Sequence, residues 1–250
     1  MKMQQPKYKF YPSGLDKFES YLNSSKIYHQ YYGFTEDPKI SELDFEQEQF
    51  QSLINSINRV PIAWEDTEAM DRGTAFNEVV DCLIDNRKSD KMQISSNREM
   101  GTISVDYNNR DFVFQIDLCK DFAEYLKGAL TQQFTDGYLD TKYGTVYLYG
   151  YIDQLMPFKV VDIKTTSKYN AFKYRENWQK IVYPFCLNYN GNHINEFEFV
   201  ATDFKNSWTE IYNYNEEKDL PNLIEHCERF IGFLEQNKSL ITNEKIFGRA

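Results

Sequence analysis

Two apolar runs separated by one short break constrain this chain most. Residues 144–155, GTVYLYGYIDQL, and residues 158–165, FKVVDIKT, are rich in β-branched and aromatic side chains, and only Met156 and Pro157 stand between them. Such runs suit adjacent strands, with Met156-Pro157 as the turn. In the second run Asp162 and Lys164 are two apart, so strand alternation puts both on one face and Val161 and Ile163 on the other. A strand otherwise made of Val, Val and Ile is a costly place for charge unless the charges pair or coordinate a metal ion. The first run delivers Asp153, nine residues earlier, to the neighbouring strand, close enough for both carboxylates to reach one cation.

Two Asp oxygens suit a hard ion, magnesium or manganese. Such an ion lowers the pKa of water, bridges a phosphate oxygen and stabilises a leaving oxygen, while Lys164 can orient the nucleophile or offset growing negative charge. That is phosphodiester hydrolysis. A bare Asp-x-Lys triplet is also what a strand-end salt bridge looks like, so more is needed. Residues 172–190, FKYRENWQKIVYPFCLNYN, have helical spacing through Trp178, Ile181, Val182 and Phe185, with a kink expected at Pro184. Gln179 and Tyr183 are four apart and share one face of that helix, with Lys180 beside them.

The first third of the chain reads as helical. Pro12-Ser13-Gly14-Leu15 is a helix entry with Ser13 as N-cap ahead of Leu15, Phe18, Tyr21 and Leu22. Residues 43–58 form a second amphipathic helix on Leu43, Phe50, Leu53, Ile54 and Ile57, with Phe45 off the stripe, and residues 67–86 a third, interrupted only by Gly73. Residues 87–111 are polar and turn-rich, a surface loop or a weak hairpin. Beyond them, residues 112–116 read as a strand, 121–134 as a helix, 196–204 and 207–215 as a closing hairpin, and 222–236 as a final helix. The expected fold is α/β, a central mixed sheet flanked by helices in one domain. Residues 1–110 form a mainly helical flank, 111–215 the catalytic sheet with its Gln-x-x-x-Tyr helix, and 216–250 the C-terminal helix.

Gly-Tyr-Ile-Asp, then Val-Val-Asp-Ile-Lys-Thr-Thr, then Gln-Lys-Ile-Val-Tyr resemble the PD-(D/E)XK nucleases, specifically the RecB-like branch. YPSGLDKFESYL and RGTAFNEVVD upstream, and the hairpin EFEFVATDFKNSWTEIYNYN downstream, are similar to segments of RecB-like, RecE-like and lambda-type exonucleases. The resemblance implies a restriction-endonuclease-like core and a Mg2+- or Mn2+-dependent deoxyribonuclease, expected to act as an exonuclease. In that role Asp153 and Asp162 bind metal, Lys164 assists, Gln179 and Tyr183 line the site near DNA, and the Ile163 carbonyl is a further ligand. The metal-binding His of the family falls at Asn77, which leaves the remaining ligand open between Asn77, Glu78 and Asp81. That departure also supports an alternative, a nuclease-fold DNA-binding or structural protein without turnover. The resemblance implies roles in recombination, repair or phage DNA processing, with a single-strand annealing protein as a candidate partner; polarity and oligomeric state stay open.

A net charge of -10 excludes a nonspecific DNA coat and requires a local basic surface or bound cations for any DNA contact. Residues 159–180 offer one: Lys159, Lys164, Lys168, Lys173, Arg175 and Lys180 oppose only Asp162 and Glu176. Lys168, Lys173, Arg175 and Lys180 are the expected phosphate contacts, with Tyr169, Phe172, Tyr174 and Trp178 interleaved among them. Cys82, Cys119, Cys186 and Cys227 show no metal or cluster spacing and read as buried thiols, and the three histidines have no partner in sequence. Without a signal-like N-terminus or a membrane-length apolar run, the chain is expected to be soluble and cytoplasmic.

Overall fold

In the computed structural model, which describes residues 5–248, the chain opens with β1 (Tyr8–Phe10), α1 (Pro12–Leu22), α2 (Ser24–Tyr32), α3 (Glu42–Ile57) and α4 (Glu68–Ile84). Strands β2 (Gln93–Asn97), β3 (Thr102–Tyr107) and β4 (Arg110–Gln115) follow, then α5 (Ile116–Tyr125). The second half runs β5 (Leu130–Thr141), β6 (Gly144–Met156), β7 (Lys159–Thr165), α6 (Gln179–Tyr189), β8 (Glu196–Thr202), β9 (Ser207–Asn213) and α7 (Glu216–Gln236). Residues 1–4 of the stretch read for a signal sequence lie outside the described residues. No helix among the described residues is long and apolar enough to cross a membrane.

The expected α/β architecture is present. A mixed six-stranded sheet has the order β1-β6-β7-β8-β9 with β5 also paired along β6, and β2-β3-β4 form a separate antiparallel sheet. The hairpin of β6 and β7 turns through Pro157 and Phe158, the latter in the left-handed region at φ 66. β6 is the longest strand, 13 residues. Its first half meets β1 in parallel, its last three residues meet β7 antiparallel, and β5 runs along the other edge. On one face of the large sheet, Leu139, Val146 and Leu148 pack with Leu15, Phe18, Leu53, Val182 and Phe230 of the surrounding helices. On the other face, Val161, Ile163 and Val200 pack with Phe76, Val79 and Val80 of α4 and with the small sheet. The four cysteines are buried free thiols.

Several boundaries differ from the sequence reading, each for a physical reason. α1 starts at Pro12 with Tyr11 in the cap position, not Ser13, because proline's fixed φ suits the first helical residue. α3 takes its cap from Ser41, whose hydroxyl accepts from the Asp44 amide, and α2, which has weak periodicity of its own, covers Phe45 with Tyr28 and Tyr32. Phe45 is therefore packed, while Leu43 is exposed. The helix expected over 121–134 is in fact α5 followed by β5: the chain turns at Gly128, φ 83, and continues as a strand on the edge of β6. The polar stretch 87–111 contributes two strands of the small sheet, so the N-terminal flank is not wholly helical. The helix expected from residue 172 begins only at Gln179, after Phe172 takes φ 61; Pro184 lies inside it.

Candidate active site

The site forms where β6 leaves β7. Their register lasts from Met156–Lys159 to Gln154–Val161, whereas β7 stays paired with β8 along its whole length. One step further the strands part, with Asp153 and Asp162 on either side of the opening. The side-chain alternation of β6 slips here: Ile152 and Leu155, three apart, pack in the same cluster against α6. Opposite Asp153 on β5, Gln132 takes φ 50 and the register skips from Thr131–Gln154 to Gln133–Ile152. Paired irregularities of this kind re-aim side chains, and strained non-glycine backbone concentrates at functional sites.

Asp162 is 3% exposed. Its Oδ1 accepts from Gln179 Nε2 at 2.8 Å, its Oδ2 lies 2.8 Å from Lys164 Nζ, and that ammonium also donates to Gln179 Oε1 at 2.7 Å. The three side chains brace one another. Burial would pull the Lys164 ammonium down, but the negative charges of Asp162, Asp153 and Asp16 carry it above its ordinary value, so it stays cationic. Asp153 shows only part of its side chain to the cleft; burial and the charge of Asp162 push its pKa up to about 8. A buried carboxylate that resists ionising beside a second negative charge is what a divalent cation relieves.

Ile163 links the pair. Its amide N–H donates to Asp153 Oδ2 at 3.4 Å, and in a strand a residue's N–H and C=O leave by the same edge, so its carbonyl also faces the opening. The glycine of the upstream motif has a packing reason, since a Cβ on Gly73 would stand 2.7 Å from Thr165 Oγ1, and α4 could not lie this close to the end of β7. That approach brings Asn77, Glu78 and Asp81 into a cleft of about 230 Å³ that Asp153 and Gln132 also line.

The structure separates the three candidates for the remaining ligand. Glu78 is engaged: Arg87 Nη1 lies 2.7 Å and Lys91 Nζ 3.7 Å from its carboxylate, and it is 4% exposed. Asp81 accepts from the side-chain amides of Gln154 and Gln132 and is pushed up to about 6, chiefly by burial. Of these three, only Asn77 has a buried acceptor, Oδ1, with no hydrogen-bond partner; Gln154 Oε1, beside Asp81, also has none. A buried carbonyl oxygen left unpaired costs about 1–3 kcal/mol, and beside Asp153 it suits a hard cation. Among the described residues no group of three or more His, Cys, Asp or Glu side chains converges. The oxygens at the opening that could hold a hard cation are of mixed type: the Asp153 and Asp162 carboxylates, Asn77 Oδ1 and the Ile163 carbonyl.

Tyr183 does not line the opening as expected. It is 5% exposed, its hydroxyl donates to the Tyr151 carbonyl at 2.8 Å, and it holds β6 just ahead of Asp153. Its ring explains Gly150, where a Cβ would meet Tyr183 Cε1 at 2.8 Å. Gly150→Ala is therefore expected to destabilise the protein by about 1–3 kcal/mol through overpacking. Thermal unfolding should fall by several degrees with a matching loss of activity; an unchanged melting temperature would refute this account of the contact.

Asp16 on α1 gave no sequence signal beyond its place in an amphipathic helix. Its carboxylate accepts from the Trp178 amide, at the N-terminus of α6, immediately before Gln179. Burial pushes it up to about 7 while Lys164 and Lys180 act to lower it, which places it in the field of the site. Gln132 and Gln154 were also missed, although Gln154, fully buried within an apolar run, was a polar exception of the kind that revealed Asp162.

Of the basic strip, Lys168, Lys173 and Arg175 are exposed, and Lys159, Lys164 and Lys180 are half-buried. Lys159 pairs with Glu198 at 2.9 Å, Lys180 turns to the Arg175 and Asn177 carbonyls, and Lys173 to Thr166 Oγ1 and the Lys168 carbonyl. Arg175 lies 3.4 Å from Glu176, and Lys168 is exposed. Of the interleaved aromatics, Tyr174 is buried, Tyr169 stacks on Trp208, and Trp178 stacks on the buried His226 at 4.0 Å; Phe172 is exposed.

No family model matches the chain, and no curated protein matches it. Among solved structures, the crystal structure of SSO0001 overlays 93% of this chain and 78% of that chain at 10% identity and a TM-score of 0.44. At that similarity the overlay carries no argument.

Proposed function

We infer that the chain is a Mg2+- or Mn2+-dependent deoxyribonuclease of the PD-(D/E)XK type, working on DNA in recombination, repair or phage DNA processing. The observation that carries this reading is the Asp153–Asp162 pair at the parting of β6 and β7, with Asp162 braced by Lys164 and Gln179 and Asp153 lining one cleft with Asn77, whose buried Oδ1 has no partner. Asp153, Asp162, Asn77 Oδ1 and the Ile163 carbonyl would hold the ion. When bound, it supplies Lewis-acid polarisation of the phosphate and acidifies attacking water. Lys164 places a fixed positive charge where the phosphoryl oxygens gain negative charge. Gln179 keeps that ammonium and the Asp162 carboxylate in register, and Tyr183 keeps Asp153 in place through the β6 backbone. Water adds to phosphorus, one P–O ester bond breaks, and the proton lost by water balances the one gained by the leaving oxygen, leaving a phosphate end and a hydroxyl end.

The test is incubation of the purified protein with linear and circular duplex DNA and with single strands, in Mg2+ or Mn2+ and in chelator. Cleavage in either ion and none in chelator is expected, and degradation of linear DNA alone would define an exonuclease. The second reading, a DNA-binding protein without turnover, rests on the amide at Asn77 and on Glu78 being neutralised by Arg87. DNA binding without cleavage in either ion would establish it. A single-strand annealing protein remains the partner this reading suggests, testable by co-purification.

A further inference from the structure

We propose that the face of β5 and β6 beside Asp153 is a stacking platform for single-stranded DNA leading to the catalytic opening; this rests on the nuclease reading above. α6, α7 and α1 cover the opposite face of these strands, where Leu139, Val146 and Leu148 are buried. The near face carries rings instead. Phe134 and Tyr151, a registered cross-strand pair, are 51% and 62% exposed and meet edge-on at 5.3 Å. Tyr149 and Tyr147 stack on each other at 5.4 Å along the same strand. Aromatic side chains this exposed on a sheet face are what sequence-tolerant single-strand binders use, because every base has a π face.

Charge points to the same occupant. Beside Tyr149, which is registered opposite Asp136, Lys9, Arg59 and Lys245 edge a narrow crevice that no Asp or Glu lines among the described residues. Arg59 Nη2 lies 3.5 Å from the Tyr149 hydroxyl, which puts a guanidinium at the edge of the ring row. Rings for bases beside cations for phosphates fit a single strand better than an apolar partner. Tyr149 is four residues from Asp153, about 13 Å along the strand, so a chain lying over Phe134 and Tyr151 would pass from the cationic cleft to the carboxylates. The platform ends at Tyr147, whose hydroxyl donates at 2.7 Å to Asp136, the carboxylate registered opposite Tyr149.

The experiment is fluorescence anisotropy of the full chain with labelled oligo(dT) and with a blunt duplex, in chelator so that nothing is cleaved, over a salt series. Wild type should bind oligo(dT) more tightly than the duplex. Tyr151→Ala and Phe134→Ala should each weaken that binding roughly tenfold, Tyr151→Trp should retain it, and Arg59→Glu should weaken it and flatten its salt dependence. Both rings are exposed, so melting temperatures should be unchanged and serve as the folding control. Absence of oligo(dT) binding by wild type, or alanine variants that bind like wild type, would overturn the platform. Loss of self-association in sedimentation velocity, with DNA binding intact, would instead assign the face to a second copy of the chain. A protein that binds oligo(dT) through these rings but cleaves in no metal would sink the nuclease reading alone. One that cleaves with an unchanged KM after ring removal would sink the platform alone.

Discussion

Replacing Asp162 with alanine or asparagine will cut DNA cleavage by at least about a thousandfold. An ion that polarises a phosphate contributes several kcal/mol to the barrier, and each 1.36 kcal/mol is a factor of ten, so losing the buried ligand removes about three decades or more. The two variants will differ in stability. Alanine leaves the Gln179 Nε2 donor without its 2.8 Å acceptor and Lys164 without its 2.8 Å counterion, which costs about 1–3 kcal/mol for the donor alone. Asparagine, unlike alanine, keeps an acceptor for Gln179 Nε2, so it should melt higher than alanine while remaining inactive. Steady-state cleavage in Mg2+ and Mn2+, set beside thermal melts, checks both parts. An Asp162→Asn protein that cleaves at the wild-type rate would exclude Asp162 as a ligand.

The second large effect is the coupling of metal binding to pH. In the metal-free protein burial and Asp162 hold Asp153 near 8, while burial puts Asp16 near 7 and Asp81 near 6, all above the ordinary carboxylate value. A folded pKa above the unfolded one means the native state binds more protons. The associated stability is present below about pH 4 and is lost as pH rises through the folded values. Metal-free protein should therefore melt at progressively lower temperature between pH 5 and pH 8.5. Metal reverses the trend, because the ion must displace the Asp153 proton. Mn2+ affinity should rise roughly tenfold per pH unit up to about 8 for one proton released, and then level off. Titration calorimetry at several pH values, in buffers of different ionisation heat, reads both the affinity and the proton count. Affinity flat from pH 6 to 8, or a chelated protein that melts higher as pH rises, would contradict the assignment. Asp153→Asn should remove most of the slope.

Much of this was legible in the residues. Asp162 and Lys164 announced themselves as charges inside a Val-Val-Ile strand, and alternation put them on one face. A four-residue helical step put Gln179 on one face with Tyr183, but its contacts with Asp162 and Lys164 were decided by where the helix docks. β5 was not legible, because its chain follows a helical segment without a break in composition and only Gly128 marks the turn. The role of Tyr183 was misread for a related reason: helical phase says which side a residue takes but not whether a neighbour's missing Cβ lets it sink into the sheet, as Gly150 does.

What the sequence determined by itself is the local part: the helices on strong apolar stripes, the β6–β7 and β8–β9 strands, that one strand carries a carboxylate and an amine on one face, and that Asp153 lies on its neighbour. Those follow from periodicities of 2 and 3.6, which depend only on residues a few places apart. Tertiary structure decided the rest. Asn77 Oδ1 is left without a partner, whereas Arg87 pairs with Glu78 and two glutamines donate to Asp81. Asp16 reaches the field of the site because α1 docks on α6. These are contacts between residues far apart in the chain, and whether a buried polar atom finds a partner depends on which elements meet, which no local pattern encodes.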